Sequence, residues 1–246
     1  AIRTYGSGRQ LHGGAHVPHL ADELGLALHM GVWIDFEYSD DQNYAAIDEA
    51  LSIIADGHPS IRTLIVGNEF LLRVRQGFGD TPASEAKLVD YIEYAQGLAP
   101  SDINVTTGES FPDWVAAPRE LFEAVDVVTW HVHPWWMAQS IDVAVQQVET
   151  AHHDVSGRMA ELGVDRPMLL GETGYPWGEC FGGSACGSPE NQARYLDELH
   201  DYSLRTGLEY WFFTAFDEQW KSAEGAVGEK WGMWGRDRQP HLVIQT

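Results

Sequence analysis

From end to end the chain alternates between short apolar, β-rich runs and longer stretches of helical period, and that alternation leaves few folds open. Strand-like runs fall at 2–6, 27–35, 63–70, 103–109, 127–134, 168–173 and 209–217, with helix-like stretches near 16–25, 41–57, 83–98, 139–163 and 189–206. In the second helical stretch Ala46, Ile47, Ala50, Leu51 and Ile54 recur at three- and four-residue spacing. Asp40 or Asp41 is placed to cap its start, and Gly57 followed by Pro59 to close it. Strands separated by helices need parallel pairing through right-handed crossovers. A near-continuous apolar run such as 64–67 fits a sheet covered on both faces. No Pro/Ser-rich linker, repeat or low-complexity tract divides the chain, so residues 1–246 are expected to form one α/β domain.

A doubly wound sheet and a (β/α)8 barrel both satisfy this alternation. The Gly6-Ser7-Gly8 segment is too slight for a dinucleotide fingerprint and leads into no clear helix start. Carboxylates recur instead where strands end: Asp35, Glu37, Glu69, Glu109, Glu172, Asp217 and Glu218. Chemistry spread over many strand ends is the habit of a barrel's C-terminal face, and a (β/α)8 TIM-type barrel is favoured.

Charge and cysteine content remove several functions. With 37 acidic against 15 basic side chains the net charge is −22, which repels nucleic acid at long range. No run of about 18 apolar residues exists to span a membrane. Two cysteines make neither a disulfide scaffold nor a structural zinc site. The basic residues are twelve Arg and only Lys87, Lys221 and Lys230, while the acids are scattered along the whole chain. Such a surface suits a protein kept soluble in high salt, and equally an ordinary acidic secreted enzyme.

Two segments carry the chemistry, Ile65-Val66-Gly67-Asn68-Glu69 and Leu169-Leu170-Gly171-Glu172-Thr173-Gly174-Tyr175-Pro176-Trp177. Each drives an apolar strand into a glutamate, and an unpaired buried carboxylate is expensive. Two such groups are what retaining glycoside hydrolysis needs, one protonated to release the leaving oxygen and one ionised to attack the anomeric carbon. Asn68 is suited to hold a sugar hydroxyl beside them. Either glutamate could otherwise cap a helix or pair with an arginine.

These residues resemble the acid/base and nucleophile motifs of glycoside hydrolase family 17, the β-1,3-glucanases and β-1,3-glucanosyltransferases, in its compact bacterial and archaeal-type branch. Arg3-Thr4-Tyr5 resembles the family's second strand, and Ser188-Pro189-Glu190-Asn191-Gln192 the helix before its last strand. Residues 215–221 and 231–234 resemble that strand and its loop, so nearly the whole chain is covered in order. The resemblance implies Glu69 as general acid/base and Glu172 as nucleophile. It places Glu218 and Lys221 in a polar network beside Glu172, with Glu229 as a further member. It implies cleavage of a laminarin-like β-1,3-glucan through a covalent glucosyl–enzyme, without metal or cofactor, by a secreted monomer. Transglycosylation by the same residues is the closest alternative, and a non-catalytic glucan-binding domain lies further off.

Aromatic residues give a second line. Trp33, Trp135, Trp136, Trp177, Trp220, Trp231 and Trp234 fall at strand ends or in the loops after them, where indoles stack on the apolar faces of pyranoses. Trp135, Trp136, Trp177, Tyr5 and Tyr175 are the expected contacts; the family usually has Trp at the position of Tyr175. His131 and His133 alternate on a strand and so point the same way. With His12, His16 and His29 they raise a rival reading, a metal-dependent hydrolase, although no further ligands are identified. His133 is read instead as a partner of the nucleophile or the sugar. Cys180 and Cys186 could close a small loop beside the cleft by a disulfide.

One feature resists the barrel. Only seven strand runs are present, and the chain begins in what resembles the family's second strand, so the family's first strand and helix are expected to be absent from these residues.

Overall fold

All seven strand runs form strands, and their apolar continuity is the reason. In β3 (Ile61–Asn68) every residue from Thr63 to Gly67 is buried, and each Ile, Leu or Val so covered contributes about 1.5–3 kcal/mol. Replacing Val66 by aspartate would put an unpaired charge there and break the strand's packing. The computed structural model describes residues 1–7, 16–78 and 80–241, with the backbone alone for 78 and 81–83; His12 and Gly8 lie outside the described residues.

The chain packs as two compact units, one of Ala1–Trp130 with Gly157–Met168, the other of His131–Ser156 with Leu169–Thr246. In the first unit β1 (Ile2–Arg3) leads to α1 (Val17–Leu24), β2 (Leu28–Val32), α2 (Asp40–Ala55) and β3. There follow α3 (Phe70–Arg73), α4 (Thr81–Leu98), β4 (Asn104–Ser110), α5 (Phe111–Ala116), α6 (Arg119–Ala124) and most of β5 (Val128–His131). Strands β1 to β4 pair in parallel in chain order. Helix α7 (Ala144–Leu162) and β6 (Met168–Thr173) run through both units. The second unit adds the small hairpin of β7 (Cys180–Phe181) and β8 (Ala185–Cys186), then α8 (Pro189–Thr206) and β9 (Glu209–Phe212), which pairs in parallel with β6.

Each unit has its own apolar interior. In the first, Met30, Ile47, Ile53, Leu64, Leu88 and Ile92 are fully buried as α2 and α4 cover the sheet. In the second, Leu170, Tyr175, Tyr195, Leu199 and Trp231 fill the same role. The start of α2 departs from expectation. Ser39, not Asp40 or Asp41, is the cap: its hydroxyl accepts the Gln42 N–H while the Gln42 side chain accepts the Ser39 N–H. Asp40 and Asp41 lie in the first turn, where they favour the helix dipole. Short helices α3 and α5, of 4 and 6 residues, follow strand ends, and α6, of 6 residues, follows α5, all without a periodic signal. No helix among the described residues is long and apolar enough to cross a membrane.

Candidate active site

In the first unit the backbone itself aims the glutamate. Gly67 has φ +84°, open to glycine at little cost, and the β3–β4 register slips between Ile65 and Asn68. That bulge turns Asn68 and Glu69 out of the strand's alternation. Glu69 follows in the left-handed region at φ 48°, ψ 39°, where a non-glycine residue costs about 1 kcal/mol or more. Its N–H donates to the Gly108 carbonyl at 2.7 Å, and its own carbonyl accepts the Arg73 N–H at 3.1 Å, opening α3. Asn68 Oδ1 accepts from Arg3 Nη2 at 2.5 Å, and the Arg3 guanidinium lies 5.0 Å over the Tyr5 ring.

Around this strand end the first unit gathers cations. Arg73 donates to the Ile34 carbonyl at 2.6 Å, pairs with Asp35 at 3.4 Å and stacks 4.6 Å over Trp33. Trp33 is 39% exposed and donates to Asp35 at 2.7 Å, so one face of its indole is backed by the guanidinium. Arg75 forks onto both oxygens of Asp113, at 2.5 and 3.0 Å. Glu109 is wholly buried and accepts from the N–H groups of Phe70 and Leu71 and from the Thr107 hydroxyl. Burial lifts its pKa to about 8, against the pull of those donors.

The second unit holds its glutamate with side chains. Glu172, 6% exposed near the end of β6, has His131 Nδ1 3.7 Å from one carboxylate oxygen and His133 Nε2 3.4 Å from the other. His131 ends β5, and His133 begins the one-turn 3₁₀ helix Pro134–Met137. The pair on which a metal site could have been built thus turns to Glu172. Among the described residues no group of three His, Cys, Asp or Glu side chains is disposed to hold a metal ion. His29 instead meets the Thr63 hydroxyl at 3.1 Å, and His16 packs against His58.

Lys221 lies 3.2 Å from Glu218 and 4.2 Å over the Phe213 ring. A second carboxylate, Glu224, lies 3.8 Å from Lys221, which it follows by three residues. Burial raises the pKa of Glu218, Lys221 opposes that shift, and the charge of Glu172 adds to it.

The aromatic residues divide. Trp136, Trp220 and Trp234 are exposed, at 41, 71 and 36%. Trp177 is half-buried; its indole N–H donates to Asp217 at 2.9 Å and its ring packs against His241. Two expected sugar contacts need correction. Tyr175 is wholly buried with its hydroxyl donating to the Gln139 carbonyl, and Trp135 is buried among Trp136, Phe181 and Trp231. Neither has a face open to a sugar, because each fills the packing beneath its neighbours. Cys180 and Cys186 are disulfide-bonded and close the hairpin on which Phe181 meets Trp135 and Trp136. In Gly174, the second glycine of its motif, a side chain would strike the Phe213 carbonyl at 2.1 Å.

Residues 1–232 match the model of the BtgE/BtgC glycoside hydrolase domain. The chain belongs to that family. A similar protein is a probable glucan endo-1,3-beta-glucosidase btgC of Aspergillus terreus, 29% identical over 245 residues, 89% of this chain and 35% of that protein. The Aspergillus clavatus protein of the same name is 31% identical over 249 residues, 89% of this chain and 33% of its own. The chain thus spans about a third of these relatives' length.

Among solved structures, an active-site mutant of Rhizomucor miehei beta-1,3-glucanosyltransferase in complex with laminaritriose is 26% identical, with TM-score 0.79 over 100% of this chain and 86% of that one. An endo-laminarinase from Formosa shares the fold, with TM-score 0.79 and 19% identity over 95% of this chain and 73% of its own. The resemblance to glycoside hydrolase family 17 is borne out, and the fold is the TIM-type (β/α) barrel of these enzymes.

Proposed function

We propose that this chain cleaves β-1,3-glucan with retention of anomeric configuration, using Glu172 as nucleophile and Glu69 as general acid/base. The observation that carries the reading is the setting of Glu172. It is nearly buried, and an imidazole nitrogen stands by each of its oxygens. Imidazoles that carry a proton on those nitrogens would favour the charged carboxylate that attack requires.

In the first step Glu172 forms a bond to the anomeric carbon as the glycosidic bond breaks, and Glu69 gives its proton to the departing oxygen. In the second, Glu69 takes a proton from water, whose oxygen attacks the same carbon and frees Glu172. Asn68, steadied by Arg3, is placed to hold a hydroxyl of the sugar beside Glu69. Trp136 and Trp33 offer exposed indole faces for neighbouring glucose units. The requirement on both carboxyls is a separation of ~5–5.5 Å across one glycosidic bond. Action on a polymer fits work outside the cell. The similarity to a beta-1,3-glucanosyltransferase supports a second outcome of the same chemistry, in which a sugar hydroxyl replaces water.

Incubation with laminari-oligosaccharides followed by product analysis tests the reading. Shorter products alone indicate hydrolysis, and longer ones as well indicate transfer. Absence of any product from active, folded protein sinks both.

A further inference from the structure

Glu109 touches neither glutamate motif in the sequence, yet the fold brings it to the turn that presents Glu69. Three consecutive N–H groups at that turn are satisfied by β4. The Glu69 N–H reaches the Gly108 carbonyl at 2.7 Å, the Phe70 N–H reaches Glu109 Oε1 at 3.2 Å, and the Leu71 N–H reaches Oε2 at 2.9 Å. The first N–H groups of a helix have no partner within it, and α3, which runs on into a π turn over Val74–Phe78, opens with these groups in need of partners outside it. Glu69 meanwhile sits in a left-handed conformation that a glutamate does not choose. Something outside the turn must hold both.

We propose that Glu109 is a positioning residue for the general acid, clamping the Phe70 and Leu71 amides so that the strained backbone of Glu69 keeps its carboxyl on the leaving oxygen. The inference rests on the reading of Glu69 given above. The Thr107 hydroxyl, 2.9 Å from Oε1, fixes the carboxyl's rotation from below. A buried carboxyl used merely as a strut would be a poor choice, since an apolar side chain of the same volume fills space without burying polar atoms. Two oxygens facing two successive N–H groups do what no apolar side chain can. Glu109→Gln keeps the volume but turns an NH2 toward one of those amides, so one clamp bond becomes a donor–donor clash. Glu109→Ala removes both.

The test compares two substrates by kcat/KM: laminarin, whose leaving sugar must be protonated, and 2,4-dinitrophenyl β-laminaribioside, whose phenolate leaves without a proton. With Glu109 as positioning residue, Glu109→Gln loses about tenfold and Glu109→Ala about a hundredfold on laminarin, while both stay within about threefold of the parent on the aryl glycoside. An equal fall on both substrates, or no fall on laminarin from a variant folded by circular dichroism, overturns it. If Glu109→Ala does not fold, Glu109→Gln alone decides. Glu69→Gln separates this inference from the reading beneath it. Should that variant show the same substrate split while the Glu109 variants do not, only the clamp fails; should it leave laminarin cleavage intact, the acid assignment fails.

Discussion

The two units hold their glutamates by different means. Glu69 is aimed by backbone: a bulge at Gly67, a left-handed φ of its own, and a clamp of amides onto β4. Glu172 stays within β6, whose register with β9 also slips between Leu170 and Thr173, but it keeps out of the left-handed region and is set by side chains, two imidazoles at its oxygens, with His133 itself edge-on to Phe213 and Trp231. The charges differ as well. Arg3, Arg73 and Arg75 anchor the strand-end network of the first unit, whereas Lys221 supplies the cation in the second. A proton donor must follow its substrate oxygen to within a hydrogen-bond length, so its backbone is fixed. A nucleophile must stay charged in a dry place, so its surroundings are polar at the oxygens and aromatic elsewhere.

The comparison predicts unequal losses. Glu172→Ala should abolish cleavage of both laminarin and an activated aryl glycoside, a fall beyond ~10⁴-fold, measured as initial rate on each. Glu69→Ala should cost ~10²–10⁴-fold on laminarin and much less on the activated glycoside. Equal behaviour of the two variants would erase the distinction. Next in size is the disulfide of the second unit. Cys180→Ser with Cys186→Ser should cost about 2 kcal/mol, seen as a fall of about 4–8 °C in the calorimetric midpoint. Trp136→Ala should raise KM for laminari-oligosaccharides roughly 2- to 10-fold with kcat nearly unchanged, the loss of an exposed stacking face worth about 0.5–1.5 kcal/mol.

A pH effect of the first unit belongs to Glu109. The pKa of Glu109 is raised by burial from its ordinary value to about 8, so over the interval between those values the folded state binds more protons than the unfolded. Its contribution to stability is therefore complete below the ordinary carboxyl pKa and declines as pH rises toward 8. Denaturant midpoints from pH 5 to 8 should fall more for the parent than for Glu109→Gln. Parallel slopes would remove Glu109 as the source.

The strands were legible because burial on both faces leaves an unbroken apolar run, as in Leu64 to Val66. The two glutamates were legible because each interrupts such a run with a charge. Helix α3 was not, since four residues carry no period and its amides are satisfied by Glu109, 39 residues from Phe70 along the chain. Nor does order along the chain tell which of two adjacent rings faces inward. Trp135 is buried and Trp136 exposed because the one-turn helix that carries them rotates successive side chains to different sides. Tyr175 misled for a related reason: it follows a catalytic motif, yet its hydroxyl is spent on the Gln139 carbonyl. Glu109 stood among the strand-end carboxylates with nothing to mark it, because its role depends on the β3–β4 register.

The central claim, a covalent glucosyl intermediate on one of two differently held glutamates, is tested most directly by trapping it. A 2-deoxy-2-fluoro-β-laminaribiosyl fluoride loses fluoride to the nucleophile and leaves a long-lived ester, which peptide mass spectrometry locates. The ester should fall on Glu172, with one label per chain and loss of activity in step. A label on Glu69 or elsewhere, or full activity after prolonged exposure with no label at all, would contradict it.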